Sequence, residues 1–185
     1  SAGLPAIQLI TGSMLTGSHR GETVGACTDC RRYWARFRAE DIDQQEIDAV
    51  NNQLVPSVGT CSVMGTASTM ACIAEALGMT VPGGASPPAV TSARMRVAEQ
   101  TGTVAVQIAK SRLTVDRILT DKALENAMRV LLAIGGSTNA IVHLTAIAGR
   151  AGIRIDLNRL NELSDSTPVL VDLKPTGQYY MSDLY

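Results

Sequence analysis

At 185 residues, 45% of them hydrophobic and 18% charged, the chain is the size of one globular domain and can bury a core without disulfide or metal staples. Aromatic residues make up only 3% and the net charge is -1, which excludes nucleic-acid binding by base stacking or by a basic footprint. No apolar run is long enough to cross a bilayer and no signal peptide is visible, so the four cysteines are expected in a reducing cytoplasm, as packing residues, metal ligands or nucleophiles.

The chain opens on "SAGLPAIQLI" without an initiator Met and stops at "YYMSDLY" without a cap or linker, which reads as an internal piece of a longer protein. Residues 5–10, "PAIQLI", are apolar and rich in branched side chains, as in a buried strand. Residues 11–30 are dense in Gly, Ser and Thr and are expected to form a long loop. "RRYWARFRAEDIDQQEIDAVNNQ" reads as helix in two pieces, with Asp41 or Asp43 capping the second and Glu46 placed as in a capping box. "LVPSV" is weak, because Pro56 argues against a central strand. A helix is expected from Ser62 to Leu77, stopped by Gly78. "TVPGGASPP" is a loop, and residues 89–102 are a helix ending at Gly102. "TVAVQIAKSRLTVDRIL" is ambiguous between helix and strand.

Apolar residues at 124, 127, 128, 131, 132 and 134 have the spacing of an amphipathic helix. "GGSTN" (135–139) breaks it, and a second apolar helix runs to Gly149 or Gly152. "DLNRLNEL" is a short helix capped by Asp156, and "PVLVDL" (168–173) is a strand. Mixed helix and strand with several buried helices gives an α/β class.

Candidate sites come from local chemistry. Cys61, at the expected start of the 62–77 helix, faces unpaired N–H groups and the positive end of the helix dipole, which would favour a thiolate able to bind metal or attack an electrophile. The alternative is a buried structural cysteine. The small residues after it leave room for a ligand or a neighbouring helix. Cys72, eleven residues further along the same helix, would lie about 16 Å away, too far to share an ion, and reads as core. Cys27 and Cys30 form C-T-D-C, a spacing used by zinc and redox sites, and the spacing alone leaves their role open.

In "GGSTN", Ser137 can cap the following helix, and with Thr138 and Asn139 it offers hydroxyls, an amide and helix-start N–H groups that suit a carboxylate or phosphate. An ordinary cap explains it as well. His143 shares the face of Asn139 and reads either as a site residue or as a hydrogen-bonded core histidine. Arg20, in the glycine-rich loop, could clamp a carboxylate.

Taken in order, "GSMLTGSHRGETVGACTDCRRYWARFRAEDID", "VPSVGTCSVMGTASTMACIAEALGMTVPGGAS", "ARMRVAEQTG", "LLAIGGSTNAIVHLTAIAGRAGI" and "TPVLVDLKPTGQYYMSDL" resemble the dihydroxy-acid and sugar-acid dehydratases, the IlvD/Edd family, over nearly the whole chain. "SHRGE" and "CRRYWARFRAEDID" look more like its sugar-acid branch, the arabinonate or xylonate dehydratases. The resemblance implies a two-domain hydro-lyase, with an α/β N-terminal domain of which residues 1–185 are an internal fragment and a β-rich C-terminal domain outside it. It implies an iron–sulfur cluster, [2Fe-2S], held by three cysteines, with Mg²⁺ beside it on acidic residues and a modified lysine.

By that resemblance Cys61, in the G-T-C motif, is the third cluster cysteine. The first two would precede residue 1 and the catalytic serine would follow residue 185. Cys27 and Cys30 match no cluster position. The implied reaction turns a 2,3-dihydroxy acid, from a sugar or a branched chain, into a 2-keto-3-deoxy acid. Arg20, Ser137, Thr138, Asn139 and His143 are candidate substrate contacts. The full-length protein is expected to be a homodimer or homotetramer, and the fragment alone inactive. Two other readings stand beside it: a non-catalytic module binding carboxylate or phosphate at "GGSTN", and a thiol-redox role for C-T-D-C.

Overall fold

The computed structural model describes residues 3–185, and over these the chain is mixed α/β and rich in helix. The one sheet among the described residues lies where a loop is expected. Strands β1 (Gly17–His19) and β2 (Glu22–Val24) pair antiparallel with His19 opposite Glu22. Arg20 and Gly21 turn the chain between them at φ +50° and +82°. Both central residues are on the left-handed side, as in the type I′ loop, whose twist matches that of its strands. Three-residue strands are too short to show a periodicity, so composition alone marked the stretch as loop.

Helices α1 (Thr28–Arg38) and α2 (Gln44–Leu54) are the two expected pieces. Asp43 caps α2, its carboxylate accepting from Glu46 N at 2.8 Å. Together with Val24 they bury Tyr33, Ile47, Val50 and Leu54, and half-buried Cys30, Trp34 and Phe37 pack on this cluster.

Helix α3 (Thr66–Ala76) starts four residues later than expected. Residues 62–64 are held in a turn instead: Met64 N donates to Lys174 O and Gly65 N to Val63 O, both at 2.8 Å. Its end is as expected. Gly78, at φ +77°, lets its own N–H reach Glu75 O and that of Met79 reach Ala74 O, closing a Schellman motif.

Helix α4 (Ser92–Ser111) runs unbroken through Gly102, where a stop was expected. One interior glycine costs about 1 kcal/mol, and good helix formers such as Ala105, Gln107, Ala109 and Lys110 outweigh it; the stop comes at Arg112, at φ +54°. The ambiguous stretch is therefore helix, continued by the short α5 (Val115–Ile118). Then come α6 (Asp121–Ala133), α7 (Asn139–Arg150), α8 (Leu157–Ser166), capped by Asp156 as expected, and the one-turn α9 (Met181–Leu184).

The largest apolar cluster joins α3, α6, α7 and α8 through Ile73, Leu77, Leu124, Ala127, Met128, Leu131, Ala140, Leu144, Ala148 and Leu163. Leu124 is only 2% exposed. Leu124→Ala is expected to destabilise the protein by about 2–5 kcal/mol through lost burial and the cavity left behind, read as a lower thermal midpoint.

The expected strands at 5–10 and 168–173 are not formed. The first is extended but lies against helix ends and loops: Gln8 N bonds Met79 O at 2.7 Å, and Arg94 donates to Ile10 O at 2.8 Å. The second leaves Val169 and Leu170 exposed, with Leu170 N on Ala133 O at 2.7 Å. Apolar β-branched runs supply propensity, but a strand needs a partner along its length; among the described residues the first segment has none and the second only a single bridge, Leu173 to Tyr179. No helix among them is long and apolar enough to cross a membrane.

Candidate functional site

The turn Gly59-Thr60-Cys61 is sewn to residues 12–14. Thr60 N donates to Gly12 O at 2.9 Å and Met14 N to Thr60 O at 2.8 Å. Gly59, at φ +133°, lies so close that a Cβ there would meet Met14 N at 2.4 Å and the Ser13 carbonyl carbon at 2.5 Å. Only glycine allows that approach. Gly59→Ala is expected to cost about 1–3 kcal/mol in backbone strain and to displace Cys61; a melting curve and an iron assay on the full-length protein check both.

Cys61 follows, half-buried, with its Sγ 3.6 Å from the Sγ of exposed Cys27. Because α3 begins at Thr66, with Gly65 as its cap, Cys61 is not at the helix terminus, and the dipole argument does not apply. Burial first, then the neighbouring Cys27 sulfur, raise the Cys61 thiol above the ordinary cysteine value rather than lowering it. Such a thiol gives up its proton on binding a metal.

Cys27 stands just before α1 at φ +60°. Two residues on, Asp29 is buried beneath it. Its carboxylate accepts from Tyr180 Oη at 2.6 Å, Gly25 N at 2.9 Å and Arg32 Nη2 at 3.1 Å. Lys174 Nζ lies 3.7 Å away and donates to Tyr180 Oη at 2.6 Å. Burial works to raise the Asp29 carboxyl, but the Tyr180 and Gly25 hydrogen bonds and the Lys174 and Arg32 charges outweigh it, leaving it below the ordinary aspartate value. Burial and the Asp29 carboxylate push the Tyr180 hydroxyl well up, so it remains a donor.

Packing around this network is tight. A Cβ on Gly25 would meet Ser62 Oγ at 2.4 Å and the Tyr180 ring at 2.7 Å. Ser62, fully buried next to Cys61, accepts from Met181 N at 2.8 Å through its carbonyl. The start of α1, the 59–62 turn and the 174–181 segment thus pack and hydrogen-bond together, and they bear two thiols.

A second cluster joins "GGSTN" to the first turn of α3. Thr66 Oγ1 and Ser137 Oγ are 3.0 Å apart, Asn139 Nδ2 donates to Thr66 Oγ1 at 3.0 Å, and Ser137 N donates to Thr69 Oγ1 at 3.0 Å. Ser137 Oγ also accepts from Asn139 N at 3.3 Å, as a capping residue would, although Thr138 precedes the helix. These groups bond one another, while Thr138 and the Asn139 side chain remain exposed.

The other candidates lie apart from both clusters' hydrogen bonds. Arg20 is exposed and meets a carboxylate of its own chain, Glu46, which also binds His19 at 2.9 Å. His143 is exposed on α7 and is not a core histidine. Cys30 packs into the α1–α2 cluster and Cys72 beside Met64, Leu173 and Met181; burial foremost, with the Glu75 charge, pushes the Cys72 thiol up to about 11.

The donor chemistry of Cys61 suits an iron–sulfur cluster, which thiolates hold. Among the described residues no three His, Cys, Asp or Glu side chains converge to hold an ion, and the Asp29 carboxylate is engaged by protein donors. Cys61 thus fits such a group as one thiol donor. Local patterns missed Asp29, Lys174 and Tyr180, because their contacts span as many as 151 residues of sequence.

The two thiols sit on a fixed turn and a helix start of a helix-rich α/β unit, and the chain belongs to the dehydratase family that the motifs resemble: residues 1–185 match the dihydroxy-acid/6-phosphogluconate dehydratase N-terminal family. It is 40% identical over 182 residues to a dihydroxy-acid dehydratase of Thermodesulfovibrio yellowstonii, covering 98% of this chain and 33% of that protein. A dihydroxy-acid dehydratase of Sulfolobus acidocaldarius is 41% identical over 181 residues, 98% of this chain and 32% of its own. A 6-deoxy-6-sulfo-D-gluconate dehydratase of Pseudomonas putida is 40% identical over all 185 residues, 32% of its length. The chain thus spans about a third of the length of the curated relatives it matches.

Proposed function

We infer that the chain is the part of a dehydratase's N-terminal domain that supplies one cysteine, Cys61, to a [2Fe-2S] cluster, in a cytoplasmic hydro-lyase converting a 2,3-dihydroxy carboxylic acid to a 2-keto-3-deoxy acid. The observation that carries this reading is the family match over residues 1–185, with Cys61 half-exposed in its G-T-C motif. When bound, the cluster and Mg²⁺ supply Lewis acidity, one for the departing hydroxide and one for the substrate's carboxylate and 2-hydroxyl.

The chain's own residues prepare the ligand. Gly59 and the 12–14 segment fix the turn, and Cys61 releases its proton as it ligates. The Asp29–Tyr180–Lys174 network ties the start of α1 to residues 174–181, and Met181 N bonds Ser62 O next to Cys61, so the turn is anchored on this side too. Thr138, Asn139, Ser137, His143 and Arg20 are the candidate contacts for the substrate's hydroxyls and carboxylate. The remaining two cysteines, the Mg²⁺ ligands and the base, a serine, lie outside residues 1–185, so this stretch alone is expected to be inactive; the complete protein is expected to be a homo-oligomer.

Relatives bearing a dihydroxy-acid name and a sulfo-sugar-acid name are equally similar, at 40%. "SHRGE" and "CRRYWARFRAEDID" favour the sugar acid. The test is full-length protein prepared anaerobically and offered arabinonate, xylonate and a branched-chain 2,3-dihydroxy acid, with keto-acid formation as the readout. Keto acid from an aldonate, dependent on iron, supports the reading. Iron-replete protein that yields keto acid from none of them contradicts it.

A further inference from the structure

The geometry points to a modification site: Cys27 and Cys61 form a reversible disulfide in the cluster-free protein by exchange with a low-molecular-weight disulfide of the glutathione class. The spacing of C-T-D-C suggested Cys27 and Cys30 as the pair, but the fold separates their roles. Cys30 packs on the α1–α2 apolar cluster, whereas the Cys27 sulfur meets Cys61 at 3.6 Å across 34 residues of sequence. A disulfide requires the sulfurs to close to about 2.05 Å, a side-chain-scale movement of about 1.5 Å.

The backbone on both sides is already fixed. On one side Arg31 N bonds Cys27 O at 3.0 Å and Gly25 N bonds the Asp29 carboxylate at 2.9 Å. On the other, Thr60 is bonded in both directions to residues 12–14. A thiol held against the Cys27 sulfur attacks a mixed disulfide formed there faster than a thiol arriving from solution does.

The order of events follows exposure. Cys27 is exposed and Cys61 only half so. The Cys27 thiolate attacks one sulfur of the small disulfide, forming a mixed disulfide and releasing one small thiolate. The Cys61 thiolate then attacks the Cys27 sulfur, forming the Cys27–Cys61 bond and releasing the second. The two protein thiols lose two electrons and two protons; the small disulfide gains both and becomes two thiols. The bond itself does not depend on the proposed function. Its consequence, that Cys61 is withheld from iron until reduced, rests on that reading.

The test uses full-length protein stripped of iron under reductant, then equilibrated anaerobically with mixtures of reduced and oxidised glutathione, alkylated and digested for mass spectrometry. Cys27 and Cys30 share the tryptic peptide 21–31, and Cys61 and Cys72 share 39–94, so a Cys30→Ser, Cys72→Ser double variant is run alongside to assign the link. The expected result is a dominant Cys27–Cys61 link in both proteins, reversed by dithiothreitol, together with loss of iron uptake that returns on reduction. Reduced Cys27→Ser protein is expected to load iron as the wild type does and to form no such link.

A Cys27–Cys30 link, a link from Cys61 to a cysteine outside residues 1–185, or glutathione adducts on both sulfurs without a link overturns the proposal. So does loss of iron loading in reduced Cys27→Ser, which would make Cys27 a ligand instead. If the link forms and iron uptake is undiminished, the disulfide stands and the role of Cys61 as a cluster ligand falls.

Discussion

Cys61→Ser in the full-length protein is expected to abolish dehydration while leaving the fold intact. In the proposed reaction a bound cluster would supply Lewis acidity worth several kcal/mol, so losing one of its ligands is expected to lower the rate by about a thousandfold or more. Stability is affected much less, because Cys61 is half-buried and belongs to none of the three apolar clusters. Turnover assays paired with thermal melts of the iron-free proteins separate the two effects. Equal turnover in wild type and variant contradicts the assignment. A variant that fails to fold would show instead that the sulfur is a packing group.

Asp29→Asn is expected to have the largest effect on stability among changes near the thiols. The carboxylate accepts hydrogen bonds from Tyr180, Gly25 and Arg32 and faces Lys174. Asparagine preserves the shape but not the charge, and weakening hydrogen bonds to a buried charged acceptor costs about 1.5–3 kcal/mol. The expected pH dependence has a definite sign. Since the folded-state carboxyl titrates below its ordinary value, its contribution is fully present above the unfolded aspartate value and is lost as pH falls through the folded one. The stability gap between wild type and Asp29→Asn is therefore widest near neutral pH and narrows in acid. A gap that widens in acid would mean that Asp29 is held protonated. Denaturant melts of both proteins across that range decide it.

These two residues show what the sequence made legible. Helices with a 3.6-residue apolar stripe, such as α6 with Leu124, Ala127, Met128 and Leu131, were readable because one face meets the core. Caps were readable too, as at Asp43, Asp156 and Gly78, because they act within a few residues. What failed depended on partners. Residues 5–10 and 168–173 carry strand propensity but have no strand beside them among the described residues, and the β1–β2 hairpin is too short to leave a pattern. Gly102 shows propensity being outvoted by its helix.

The candidate site divides the same way. Cys61 is legible from its G-T-C turn, although the helix expected to start at Ser62 begins four residues later, at Thr66. "GGSTN" was singled out from its hydroxyls, but its bonding to Thr66 and Thr69 crosses about 70 residues, a pairing that no local pattern contains. The Cys27–Cys61 contact and the burial of Asp29 under Tyr180 are of the same long-range kind.

The most direct test of the central claim is X-ray absorption at the selenium edge of full-length protein carrying selenocysteine at position 61, loaded with iron under anaerobic conditions. The account predicts an iron neighbour at bonding distance from that selenium. A selenium that sees only carbon in protein with its full iron content contradicts it.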